Sequence, residues 1–189
     1  MKISILGATN LDKLSTYLGK SVSELETCFN DIGKSLGENS CTAVTVFNIS
    51  GSLKSVSESC KYHGGRHEIL MTKNDYDWDV EPYLSNLPKP SDNIEIVEKK
   101  SWHDMLISLV GDYELIIVCG LSLGVMVELG YVKWNVQDKK GSLKKILFIE
   151  ELLPNGILPP EITLTFNNNF AFVVSVNELL KYIAKDRLI

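Results

Sequence analysis

The run "YELIIVCG" at 113–120 constrains this chain more than any other stretch. Five apolar residues follow one another from Leu115 to Cys119, three of them β-branched, and Gly120 ends the run. A half-exposed strand would alternate apolar with polar residues. An unbroken run of this kind fits a strand covered on both faces, as central strands of parallel sheets are. "GLSLG" (120–124) then turns the chain directly into "VMVELGYVKWNV", which has the length and composition of a helix. A buried strand, a short Gly/Ser turn and a helix start form the repeating unit of α/β folds, which bind ligands beyond the carboxyl ends of their strands.

The same alternation recurs along the chain. "KISILGA" (2–8), "TAVTVFNI" (42–49), "RHEILM" (66–71), "KKILFIE" (144–150) and "FAFVVS" (170–175) read as strands, and "IEIV" (94–97) as a further extended segment. Leu18, Val22, Leu25, Phe29, Ile32 and Leu36 fall at helical spacing and predict a helix over 17–39. Leu53, Val56 and Cys60 predict another over 50–65, closed by Gly64 and Gly65. Further helices are expected at 101–110, opened by Ser101 with Asp104 three residues on, at 123–138 and at 176–186. Strand–helix alternation implies right-handed parallel crossovers. The fold class expected is therefore α/β, a single Rossmann-like three-layer domain over 1–189. Its sheet should be mostly parallel, of about six strands flanked by helices.

Composition narrows the partners. The 19 Lys and Arg against 24 Asp and Glu give a net charge of −5. No basic face that would track a nucleic-acid backbone is expected, and the local lysine clusters read as solvated helix ends. No run of about 18 apolar residues marks a membrane span, and "MKISILGATN" is too short and strand-like for a leader. Cys28, Cys41, Cys60 and Cys119 show no paired spacing, and His63, His67 and His103 do not gather near them. These read as reduced thiols in a cytoplasmic protein without a metal site. "DYDWDVE" (75–81) alternates acids but has Val80 and Asn86 where a calcium loop needs Gly and Glu. An acidic rim over a pocket, with Tyr76 and Trp78 able to stack on a base, is the expectation for that long polar excursion.

Three loops are candidates for chemistry. After the first strand, Gly7, Ala8, Thr9 and Asn10 combine a tight turn with side-chain donors and free amides, a seat for phosphate or ribose that also occurs with nothing bound. Ser50, Gly51 and Ser52 form the small first turn of the second-strand crossover helix, able to face an anion or simply to cap the helix. Gly120, Leu121, Ser122, Gly124 and Val125 allow close backbone approach. Glu128, one turn into the helix, leans back toward its start, where it would bind a sugar diol, exchange a proton or pair with a lysine such as Lys133.

Together the loops resemble the Rossmann-like nucleotide-binding family of the lysine decarboxylase-like type, which includes the LONELY GUY phosphoribohydrolases. "GSLKSVSESCKYHGG" (51–65) is similar in length to the family's GLMGAVADGALAAGG segment and keeps Gly51, Leu53, Val56, Gly64 and Gly65. "GLSLGVMVE" (120–128) stands where the family carries PGGxGTxxE and keeps Gly124 and Glu128, with Asp112 at the aspartate that opens the preceding strand. Gly120, Leu121 and Ser122 replace Pro-Gly-Gly, Val125 replaces the threonine, and His103 falls on the family's arginine.

The resemblance implies a nucleotide or another phosphate-bearing small molecule as ligand, and a homodimer built partly on "LGYVKWNV" (129–136). It also implies an N-glycosidase on nucleoside monophosphates, with Glu128 at the ribose, His103 as the second catalytic residue and no cofactor. The departures favour the alternative, a non-catalytic nucleotide or cofactor sensor or carrier. A scaffold that has lost its pocket is the third expectation.

Overall fold

A computed structural model describes residues 1–72, 84–85, 87–137, 141–166 and 170–185, with the side chains of 134–137, 180 and 184–185 outside that description. The expected rim with Tyr76 and Trp78 therefore lies outside the described residues, and the side chains of the expected dimer face at 134–136 lie outside the description. The chain runs β1 (Lys2–Gly7), α1 (Leu11–Leu18), α2 (Val22–Glu38), β2 (Thr42–Val46), α3 (Gly51–Tyr62), β3 (Arg66–Met71) and β4 (Ile94–Glu98). It continues with α4 (Trp102–Gly111), β5 (Leu115–Cys119), α5 (Leu123–Gln137), β6 (Lys145–Ile149), α6 (Pro160–Thr165), β7 (Ala171–Val174) and α7 (Val176–Lys185).

All seven strands join one parallel sheet in the order β4-β3-β2-β1-β5-β6-β7. The expected count of about six is thus corrected to seven, because 94–98 pairs fully with β3 from His67↔Ile94 to Met71↔Glu98. The β5 run is completely buried, and its register with β1 runs from Ile3↔Leu115 to Gly7↔Cys119. Each such Ile, Leu or Val contributes roughly 1.5–3 kcal/mol by leaving water, so the apolar run fixes both the strand and its central place.

α3 and α4 both lie against β2 and β3 but pack on different helices, α2 and α5 respectively, which puts a helical layer on each face of the sheet.

The expected helix over 17–39 is two helices. Gly19 adopts a left-handed backbone (φ 65°) that ends α1, and Ser21 with Glu24 forms a reciprocal capping box that starts α2. α1 itself begins at Asn10, whose side-chain oxygen accepts from the Lys13 amide at 2.9 Å. α6, opened by Pro160, lies between β6 and β7, where the sequence pattern announces no helix. All four cysteines are free thiols.

Candidate functional site

Strand order reverses beside β1: the chain builds outward through β2, β3 and β4, then returns to place β5 on the other side of β1. The loops leaving β1 and β5 diverge there and open a crevice. It is a cleft of about 860 Å³. One wall is the β1–α1 connection, Gly7, Ala8, Thr9 and Asn10, continued by Lys13, Leu14 and Tyr17 of α1. The opposite wall is the β5–α5 connection and first turns of α5, from Leu121 through Glu128. Ile5 and Leu6 of β1, Val46 and Asn48 at the end of β2, Leu53 of α3, Trp102 and Leu106 of α4, and Pro159 complete the described lining.

The α5 start is built to stay open. Ser122 caps it: its Oγ accepts from the Val125 amide at 3.3 Å, and its carbonyl accepts from Met126 at 3.0 Å. The amides of Leu123 and Gly124 belong to a first turn that has no intrahelical acceptors, and their partial positive charge faces the cleft region. A Cβ at Gly124 would meet nothing closer than the Ser122 hydroxyl at 3.8 Å, so the backbone there is open to approach.

Glu128 sits one turn further on. Its side chain is half-buried in the cleft wall and has no hydrogen-bond or ion-pair partner among the described residues. Burial against its apolar neighbours pushes its pKa up to about 8, so the carboxyl holds its proton at neutral pH. Lys13 is the one cationic side chain in the described lining. Cys119 lies just below the cleft, fully buried, and burial lifts its thiol far above the ordinary range, which removes it as a nucleophile.

The second candidate helix start is closed. Gly51 has φ +54°, and a Cβ there would sit 2.5 Å from the Thr9 carbonyl and 2.6 Å from that of Ala8. The Ser52 amide donates to the Ala8 carbonyl at 3.0 Å, and the buried Ser52 hydroxyl donates to the same oxygen at 2.9 Å. Ser50 supplies no cap, and its hydroxyl donates to Asn48 Oδ1 at 3.2 Å. The α3 tip is thus spent on fastening the β1–α1 loop, and Ser50, Gly51 and Ser52 are not part of the cleft lining.

Of the residues singled out in sequence, the cleft gathers Gly7, Ala8, Thr9, Asn10, Leu121, Ser122, Gly124, Val125 and Glu128. Gly120 lies outside the lining, with φ +91° and its α-carbon packed toward Leu14. His103 is not brought to the cleft either. It is exposed, its Nδ1 lies 3.0 Å from the Tyr131 hydroxyl, and the two rings meet edge to face. Its neighbour Trp102 takes the inward position instead. Lys13, Tyr17, Asn48 and Trp102 are wall residues that the sequence reading missed. Lys13 and Tyr17 share one helical stripe four residues apart, a signal available once Asn10 is recognised as a cap.

Among the described residues no helix is long and apolar enough to cross a membrane, and no three His, Cys, Asp or Glu side chains group as a metal site.

Comparison with known proteins shows the fold. No family model matches the sequence, and no curated protein matches it. The molybdenum cofactor carrier protein from Chlamydomonas reinhardtii superposes with a TM-score of 0.64 at 12% identity, over 100% of this chain and 98% of that one. The molybdenum cofactor binding protein from the phototrophic bacterium Rippkaea orientalis gives 0.63 at 12% identity, over 100% and 97%. A structural genomics target, TM1055, gives 0.62 at 15% identity, over 97% and 98%. At these identities the shared property is the Rossmann-like architecture, along nearly the full length of each chain.

Proposed function

We propose that the protein binds a phosphate-bearing small molecule with a planar ring, a nucleotide or a nucleotide-like cofactor, in the switch-point cleft and holds it without turnover. The observation that carries this reading is the half-buried Glu128, without a partner among the described residues, beside the open start of α5. A protonated carboxyl donates a hydrogen bond to a ring or sugar oxygen and does not repel a phosphate. The phosphate is held by the first-turn amides of α5 with Lys13. Tyr17 and Trp102 supply aromatic surface for the ring. Two of the structurally similar proteins are a carrier and a binding protein for molybdenum cofactor, which is consistent with a cleft of this place and size serving carriage.

A second reading, N-glycosidase activity on nucleoside monophosphates, draws on the same carboxyl. Glu128 holding its proton at neutral pH is suited to protonate a departing base. His103, exposed and paired with Tyr131, gives this reading no support.

Mass spectrometry of small molecules released from the purified protein, together with thermal shifts against nucleotides and molybdenum cofactor, tests the binding reading. Stabilisation without release of free base supports carriage, base release supports the second reading, and no response to any member of the panel overturns both.

A further inference from the structure

A second cavity of about 640 Å³ lies along α3, against the end of β2 and the start of β3. Among the described residues only Asn48 belongs to both its wall and that of the cleft. Lys54, Ser57, Glu58 and Lys61 line it from one stripe of α3, at helical spacings of three, four and seven. Neither lysine has an ion-pair partner among the described residues, although Glu58 stands between them. Two unneutralised cations on one rim are an unfinished electrostatic arrangement.

The deep wall is more telling. His67 is 1% exposed and lines the cavity. Its Nε2 is 2.9 Å from the Thr45 hydroxyl, while its Nδ1 is buried with no hydrogen-bond partner among the described residues. An orphaned buried nitrogen of this kind costs about 1–3 kcal/mol. Burial first, and Lys61 second, lower the His67 pKa to about 3, so the ring is neutral and offers one donor and one acceptor nitrogen. With Nε2 engaged by Thr45, Nδ1 offers whichever role remains.

We propose that this groove is a second binding site, for a small sugar or polyol phosphate monoester. Lys54 and Lys61 neutralise the phosphate, Nδ1 of His67 hydrogen-bonds it, and Glu58 accepts from a ligand hydroxyl. A monoester fits better than a carboxylate. Its second pKa is about 6, so the dianion and the monoanion with its P–OH are both accessible near neutral pH and between them satisfy either tautomer of His67, whereas a carboxylate only accepts. The lysine ammonium groups suit phosphate as point charges on flexible stems.

Calorimetric titration with ribose 5-phosphate, with ribose and inorganic phosphate as controls, tests this. Ribose 5-phosphate binds the wild-type protein, and more tightly than either control. The Lys54→Ala/Lys61→Ala double variant, altered only at the rim, weakens it by about 10-fold or more. His67→Phe, which keeps the ring volume and removes both nitrogens, weakens it as well. Glu128→Gln and Lys13→Ala, both in the separate cleft, leave it unchanged. The proposal is overturned by absence of binding to wild type, by undiminished binding to the double variant, by inorganic phosphate binding as tightly as the ester, or by loss of binding in the cleft variants. The last result would place the ester in the cleft and leave the reading of that site standing.

Discussion

The starts of α3 and α5 are nearly the same in sequence and opposite in structure. Both follow a parallel strand that borders β1, and both open on serine and glycine, "ISGS" before α3 and "LSLG" before α5. At α3 the glycine is wedged under two carbonyls of the β1–α1 loop, and Ser52 uses its amide and hydroxyl on the Ala8 oxygen. At α5 the glycine faces open space, and a carboxyl without a partner among the described residues stands one turn away. A small-residue helix start therefore does not by itself make an anion seat. One of these two starts fixes the floor of the cleft, and the other leaves a wall free to bind.

The sharpest way to break that contrast is Gly51→Ala. A Cβ at φ +54° is strained by about 1–2 kcal/mol before packing is considered. Here it also meets two backbone oxygens that cannot rotate away. A loss of at least about 3 kcal/mol is expected, read as a lowered denaturant midpoint, because the whole β1–α1 connection has to shift. Near-native stability in this variant would show that the α3 tip is as loosely held as the α5 tip.

Glu128→Gln sharpens the other side. The folded-state pKa is raised from 4.5 to about 8. Below about pH 4.5 the carboxyl is protonated in both folded and unfolded chains, and the variant and wild type have equal stability from this group. Between 4.5 and 8 the unfolded chain ionises first, so the wild type loses stability relative to the variant as pH rises, and the difference levels off above 8. The plateau in favour of Glu128→Gln follows the size of that shift, at about 1.4 kcal/mol per pKa unit. Ligand binding follows the same group: affinity of wild type for a phosphate-bearing ligand falls as pH rises through about 8, and in the variant that step is absent. A flat stability difference from pH 4 to 9 would show that Glu128 is not held in an apolar wall.

Much of this was legible in the residues, and the gaps have physical reasons. The β5 run announced a central strand because nothing else keeps five apolar residues dry, and Glu128 was readable because helix geometry alone carries it back toward the turn. β4 reads in the sequence only as an extended segment because its side chains are mostly half-exposed, so its apolar signal is weak. The α1–α2 break was written in Gly19 and in the Ser21–Glu24 capping pair, but hydrophobic spacing that runs through both helices hid it. His103 and Trp102 differ by one helical step, about 100° of rotation, and only the packing of α4 on α5 decides which of them points inward. The closed state of the α3 tip depends on a contact between Gly51 and Thr9, 42 positions apart, and no local pattern encodes it.

Two smaller substitutions complete the comparison. Ser52→Ala removes the buried hydroxyl but leaves the Ala8 carbonyl its bond from the Ser52 amide, so no acceptor is orphaned. A destabilisation of about 1 kcal/mol is expected, seen by chemical denaturation, with ligand binding altered only as far as the loop loosens.

Gly124→Ala is the counterpart of Gly51→Ala and has the smallest expected effect on stability, with the opposite sign. Its backbone is helical, its Cβ would meet nothing within ordinary contact distance except the Ser122 hydroxyl at 3.8 Å, and alanine propagates a helix better than glycine. A gain of about 0.5 kcal/mol follows, or roughly 1–2 °C in midpoint for a chain of this size. The same methyl group stands in the cleft wall beside the free amides. A ligand whose phosphate rests on that turn loses about 2–5-fold in affinity through the wider approach it is forced to make. A variant that is more stable yet binds less well separates the two uses of glycine in this chain, since at Gly51 the missing side chain serves the fold and at Gly124 it serves the guest. If Gly124→Ala left affinity untouched, the phosphate would have to rest elsewhere in the cleft, with the β1–α1 amides as the next candidate.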